Sequence, residues 1–189
     1  MEKELKLLKA YFDPFISTTM HDWLPCEKHL NIECFQKIDS IIKFSGHKEN
    51  CLRFIIRGTA VILSPHDKET CQDICVRNEF LSDFESLIED KPTDRLIVNT
   101  EAITLAVIEK EALLNIYAKT LLGDRLGRIL YERQTLRTYD REKLQTGPTK
   151  CRYKKLIQTR GYLPVPQKYL ASYLHMSRSS LQRALISYE

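Results

Sequence analysis

The apolar positions of this chain run with a helical period, shift to strand-like runs, and return to a helical period. From Glu2 to Phe15, Leu5, Leu8 and Phe12 share one stripe while Lys3, Lys6 and Lys9 lie elsewhere, which predicts an amphipathic helix. Trp23 to Lys37 has no clean period, and a second short helix holding Cys34 and Phe35 is the expectation there. From Lys37 to Ile108, short apolar runs (IDSIIKF, LRFIIRGTAVILS, ETCQDICV, RLIVNT, AITLAVI) alternate with turn residues. That spacing predicts several antiparallel strands in a barrel or sandwich, with Gly46, Gly58 and Pro65-His66-Asp67 at turns. Phe80 to Thr93 (FLSDFESLIEDKPT) interrupts the strands as a short helix or loop.

After Glu109 the helical period resumes. Leu122, Leu126, Ile129, Arg133 and Leu136 recur at spacings of three and four on a helix expected to begin near Leu121. The stripe either packs on the strand-rich part or forms a seam between two copies. Gly123 and Gly127 on the neighbouring face would permit close helix approach, at a cost in helix propensity. Thr146-Gly147-Pro148-Thr149 ends this helix, and Thr149 is expected to cap another that runs through Lys150, Tyr153, Leu156 and Ile157.

The last quarter, Pro164 to Tyr188 (PVPQKYLASYLHMSRSSLQRALISY), reads as two short helices around a tight turn. Leu170, Ala171, Leu174, Met176, Leu181 and Ala184 fall where two helices crossing at roughly 90–120° bury side chains against each other. His175 stands where the turn needs a positive φ, and His is enriched there among non-glycine residues. Ser177 precedes the second helix, where its hydroxyl can accept from an unpaired backbone N–H. The outer face of that helix carries Arg178, Ser179, Gln182 and Arg183. This is the pattern of a helix-turn-helix that reads duplex DNA.

Charge strengthens that reading. Residues 1–108 hold 13 Lys plus Arg against 18 Asp plus Glu, and residues 109–189 hold 16 against 7, so a net of −5 is joined to a net of +9. A basic segment that coincides with a candidate recognition helix suits a phosphate-binding surface. The hydrophobic fraction of 43% is ample for a packed core. No run of about 18 apolar residues exists and the N-terminus lacks a secretory apolar region, so a cytoplasmic protein without membrane partners is expected. Of the cysteines, Cys71 and Cys75 are expected to share a face of a strand, and Cys51 and Cys151 to be packing residues. Neither Cys71 with Cys75 nor Cys26 with Cys34 has the CxxC spacing of a zinc knuckle, so neither a metal nor any other cofactor is expected. No Gly-rich phosphate loop, HExxH or GxSxG motif is present and the histidines are scattered, which argues against an enzyme.

In order and motif, the chain resembles the CRP/FNR family of bacterial transcription regulators, and in particular its short Bacteroidetes-type members. The pieces that carry the resemblance are IIRGTAVIL, NEFLSDFES, and RYKKLIQ followed by VPQKYLASYLHMSRSSLQRAL. It implies an α+β fold: an antiparallel β-roll (double-stranded β-helix or jelly roll) over 1–115, a dimerisation helix and linker over 116–145, and an all-α helix-turn-helix domain over 146–189. It further implies a homodimer on double-stranded operator DNA, seamed by Leu122, Leu126, Ile129, Arg133 and Leu136, with RNA polymerase as an open further partner.

By the same resemblance, family members that bind cyclic nucleotide use a Gly-Glu-Leu turn and a following Arg segment to hold its phosphate. Here Phe80, Ser82 and Asp83 stand at the turn, Arg95 is offset, and six carboxylates between positions 79 and 94 repel phosphate. A response to cyclic AMP is therefore not expected, and a roll pocket at Phe80, Ser82, Asp83 and Arg95 for another small effector is the weaker alternative. A degenerate sensor that binds protein without reading DNA is the other. In the recognition helix Arg178 and Arg183 match the family's two arginines, and Ser179 replaces its Glu, which should alter one base position. Gln167, Lys168, Ser177 and Ser180 are expected at phosphates, while Tyr169 and Tyr173 are expected to pack. Four residues after Leu185 leave no room for a β-wing, so affinity is expected to lean on dimerisation and on Lys150, Arg152, Lys154 and Lys155.

Overall fold

The computed structural model describes residues 2–64, 70–119 and 121–186, so the Pro65-His66-Asp67 turn lies outside the described residues. Two helices, α1 (Glu2–Phe12) and α2 (Met20–Glu27), precede the strands β1 (Leu30–Phe35), β2 (Ile41–Lys43), β3 (Cys51–Arg57), β4 (Ala60–Leu63) and β5 (Cys71–Cys75). The short strand β6 (Phe80–Leu81) and helix α3 (Phe84–Glu89) come next, then β7 (Leu96–Asn99) and β8 (Ile103–Glu109). The rest is helical: α4 (Lys110–Lys119), α5 (Leu121–Thr146), α6 (Thr149–Arg160), α7 (Gln167–Tyr173) and α8 (Arg178–Ile186).

The strands form two antiparallel sheets, ordered β1-β8-β3-β6 and β2-β7-β4-β5. They face each other across an interior of Ile55, Ile62, Leu81, Ile97, Ile103 and Leu105. On the outer face of the first sheet, Leu52, Phe54, Ala106 and Ile108 pack with α1, α2, α4 and α5. Val61, Leu63, Ile74 and Val98 on the outer face of the second pack with Tyr153, Leu156, Leu170 and Leu174 of the C-terminal helices. Covering both faces of a sheet makes its central strands read as unbroken apolar runs, and this is why β3, β4 and β8 were visible in sequence. The architecture is thus the expected antiparallel β-roll with a long helix and a helical C-terminal module.

The strand β1 departs from the sequence reading, which placed Cys34 and Phe35 on a helix. They pair with Thr104 and Ile103 of β8, and the helix that precedes them in the chain is α2, which carries Trp23 and Cys26. As an edge strand, β1 is held by its backbone ladder, and only Leu30 is fully buried, so its side chains carried no readable alternation. Cys71 and Cys75 also part company: a register shift between Ile62 and Leu63 leaves Gln72 as an extra residue, which sends Cys71 to the outer cluster and Cys75 to the interior. Burial pushes the Cys75 thiol up to about 12, so it stays protonated at neutral pH. Cys151 is exposed rather than packed.

At the start of α5, Gly123 is buried against the end of α4: a Cβ there would lie 2.5 Å from Tyr117 Cα. Only glycine lets the two helices meet so closely. The Thr149 cap expected for α6 is replaced by Pro148 at the N-cap position, with no side-chain cap. Among the described residues no helix is long and apolar enough to cross a membrane.

Candidate nucleic-acid interface

Local backbone hydrogen bonds close the turn between α7 and α8. His175, at φ +48°, donates its N–H to Ser172 O at 2.9 Å, and Met176 donates to Ala171 O at 3.0 Å. This pair of bonds closes a helix end through a left-handed residue, the role His175 was expected to fill. Arg152 of α6 then donates to the carbonyls of Leu174 (3.0 Å) and His175 (2.6 Å). Its guanidinium, expected on a phosphate flank, thus bonds the turn within the chain. Ser177 accepts from Ser180 N–H at 3.1 Å and so caps α8.

Behind this turn Tyr153, Leu156, Leu163, Tyr169, Leu170, Tyr173, Leu174 and Leu181 are buried together, so Tyr169 and Tyr173 do pack. In front, Arg178, Ser179, Gln182 and Arg183 are exposed along α8, with Ser177 exposed and Ser180 half-buried at its start. Gln167 and Lys168 are exposed at the first turn of α7. Arg183 lies back along its own helix, its Nη2 3.3 Å from Ser180 Oγ. Such a face offers arginines and amides to base edges, and hydroxyls to phosphates.

The expected dimer stripe divides. Leu126 and Ile129 are buried in the chain's own cluster with α1 and α2, whereas Leu136 is 53% exposed. Arg133 stacks over the Phe15 ring at 5.0 Å, and the side chain of Leu122 lies outside the described residues. Tyr131 and Tyr139, which the stripe did not include, are the other large exposed apolar side chains of α5 among the described residues.

Inside the roll, Asp83 caps α3 and accepts from Ser86 N–H at 3.4 Å. Its carboxylate meets Arg95 at 2.8 Å and Lys43 at 3.3 Å, and accepts from the Thr93 hydroxyl. Burial pushes the Asp83 carboxyl up, but the hydrogen bonds from Thr93 and Arg95 and the Arg95 charge outweigh it, leaving the pKa below its ordinary value. Glu49 pairs with Arg53 at 2.7 Å and accepts from Asp83 N–H at 3.3 Å. Ser82 accepts from Arg53 N–H. Arg95 also contacts Glu85 at 2.7 Å. Of the four pocket residues expected from sequence, Ser82, Asp83 and Arg95 therefore belong to this internal network. Phe80 instead packs among Tyr11, Phe12 and Phe54, with ring centroids 5.1 to 5.8 Å away.

Sequence reasoning missed the contacts that dock the helix-turn-helix on the roll. Strand β5 is the edge of its sheet, and its outer backbone groups are satisfied from the helices: Ser172 Oγ accepts from Cys71 N–H at 2.8 Å, Arg141 donates to Gln72 O, and Arg137 and Arg160 donate to Ile74 O. Arg137 also pairs with Asp73 (3.1 Å) and Glu79 (3.2 Å). These partners are separated by 58 to 101 positions, so no local spacing signals them.

No family model and no curated protein matches the sequence. Solved structures do share the fold. FixK2 from Bradyrhizobium japonicum superposes with a TM-score of 0.69 at 10% identity, covering 84% of this chain and 83% of that one. The c-di-GMP responsive global regulator CLP of Xanthomonas campestris gives 0.65 at 18% identity over 90% and 91% of the two chains. A cyclic nucleotide-binding domain from Methylobacillus flagellatus gives 0.65 at 15% identity over 78% and 86%. This chain therefore shares their fold, the β-roll, long helix and helical C-terminal module that the motifs implied.

Proposed function

We propose that this chain is a sequence-specific DNA-binding transcription regulator of the CRP/FNR type, acting as a homodimer and unresponsive to cyclic AMP. The observation that carries the reading is the capped helix-turn-helix whose exposed helix presents Arg178, Ser179, Gln182 and Arg183. Arg178 and Arg183 suit guanine edges or phosphates, and Ser179 offers a short hydroxyl where a longer acceptor would select cytosine. FixK2 and the regulator CLP share the fold across most of their length, which supports the general kind of function. A two-fold dimer is the form in which such a module meets symmetric half-sites.

The cyclic AMP clause rests on Asp83. Its carboxylate occupies the helix N-terminus and the cations that a phosphate would need, so an incoming anion must displace a buried, multiply bonded group.

Duplex binding across a salt titration tests the reading. The wild-type chain should select specific duplexes from a random pool. Arg178→Ala with Arg183→Ala should weaken that binding by roughly tenfold or more and flatten the salt slope by about one unit per lost phosphate contact. Absence of duplex binding in the wild type would sink the proposal.

A further inference from the structure

Where α5, α6 and the β5–β6 turn meet, the structure leaves a half-open cleft of about 840 Å³. That volume suits a small organic ligand. Its wall carries Arg77, Arg133, Arg141, Lys143 and Lys155, besides the Arg137 and Arg160 already bound to Glu79. Apart from Glu79, the one carboxylate in the lining is Asp140. Arg77, Lys143 and Lys155 have no ion-pair partner among the described residues, and Arg141 meets only the neutral Gln72 carbonyl. The floor is apolar, formed by Phe84, Leu130 and Leu144 among others.

Several uncompensated cations around a concave apolar floor are a poor arrangement for an empty surface, because their mutual repulsion is relieved only by solvent and salt. They match a ligand with a flat apolar body and a concentrated negative head. Arginine and lysine side chains contributed by different elements would each bond a separate phosphate oxygen. We propose that this cleft binds a phosphate ester with two or more negative charges and a planar body, the chemistry of a nucleoside diphosphate. The cleft lies outside the roll interior that Asp83 fills. A ligand in it touches Arg77 of the roll, Lys143 of α5 and Lys155 of α6 together, so its binding free energy reinforces the docking of the helix-turn-helix on the roll.

Calorimetric titration of the full chain with ADP, GDP, pyrophosphate and adenosine tests this. Saturable heat with a diphosphate, none with adenosine, and binding roughly tenfold or more weaker in Arg77→Gln with Lys143→Gln and Lys155→Gln support the site. These three side chains hold no ion-pair partner among the described residues, so the variant should keep the fold, and an unchanged unfolding midpoint verifies it. Pyrophosphate should bind more weakly than ADP or GDP, and pyrophosphate binding as tightly as the nucleotides overturns the planar-body requirement. Arg178→Ala with Arg183→Ala should bind the diphosphate like wild type, so failure of DNA reading and failure of this site are separable. No saturable heat with ADP, GDP or pyrophosphate overturns the proposal, as does diphosphate binding that the triple variant leaves unchanged, or equal binding of adenosine. Loss of duplex affinity in the triple variant without any diphosphate binding assigns the cations to DNA and also overturns it.

Discussion

Arg160 grips both carboxylate oxygens of Glu79 at 2.6 Å, joining α6, the first helix of the C-terminal module, to the turn that precedes β6. The side chains are 17% and 27% exposed, so the pair is neither free in solvent nor fully desolvated. Removing the acid leaves Arg160 without a carboxylate, beside Ile74 O, and leaves Arg137 with Asp73 and the Ile74 carbonyl. Glu79→Ala should destabilise the chain by about 1–3 kcal/mol, below the full range for opening a buried pair because both partners keep some solvent. Urea unfolding measures the loss. Amide exchange at Cys71, whose N–H is held by Ser172, should accelerate if the pair docks the module, and unchanged exchange there would refute that role.

Asp83 gives a pH dependence of definite sign. Its folded pKa lies below the ordinary 3.8, so its contribution is fully present above about pH 4 and is lost as pH falls through the lower folded value. Asp83→Asn should therefore cost roughly 2–4 kcal/mol at neutral pH, since buried Lys43 loses its counter-charge. The difference between wild type and variant should shrink below about pH 4. Parallel stability curves for the two proteins across that window would contradict the argument.

What the sequence revealed here followed from locality. The stripe Leu5, Leu8 and Phe12, the turn at His175 and the cap at Ser177 are set by residues within a few positions of one another, and all stand where the period placed them. Period also says which side chains share a face, but not what covers that face. Leu126 and Ile129 were as compatible with a second copy as with the α1–α2 layer that buries them. Asp83–Arg95–Lys43 and Glu79–Arg160 join residues that only the closed roll brings together, so the acid-rich segment 79–94 read as a phosphate-repelling field. In the fold, the members of that segment that matter most, Glu79 and Asp83, are neutralised by cations from distant elements.

The junction of α4 and α5 makes a pair of glycine substitutions informative. A Cβ at Gly123 would sit 2.5 Å from Tyr117 Cα, which is backbone and cannot swing aside. At Gly127 the nearest atom is the Tyr117 ring at 3.5 Å, an ordinary contact. Gly123→Ala should lower stability by about 1–3 kcal/mol through overpacking. Gly127→Ala should be neutral or gain up to about 1 kcal/mol of helix propensity. Thermal melts of the two variants moving in the same direction would show that the close approach is not what fixes the junction.

Arg152 separates a structural cation from a phosphate contact. Its bonds to Leu174 O, His175 O and Gly147 O hold the turn of the helix-turn-helix. Arg152→Ala should lower the unfolding midpoint, with a loss of about 1–3 kcal/mol for the part-buried Gly147 and Leu174 carbonyls left without their donor. Duplex affinity measured well below that midpoint should keep its salt slope, because no phosphate contact disappears. A slope shallower by about one unit would instead place the guanidinium on the DNA backbone.

Burial of Leu126 and Ile129 within the chain shifts the expected seam to the exposed side chains of α5, Tyr131, Leu136 and Tyr139, which are 53–69% exposed. A homodimer formed along α5 must cover these, because large exposed apolar side chains on one helix are otherwise left in water. Tyr131→Asp with Leu136→Asp places two carboxylates in that contact without touching the core, so the monomer should remain folded. Light scattering after gel filtration should then report a monomer where the wild type is a dimer, and duplex affinity should fall by more than about tenfold because one half-site contact is lost. A variant that remains dimeric would move the seam away from α5. A wild-type monomer that still selects duplex DNA would remove dimerisation from the proposed function while leaving the reading helix in place.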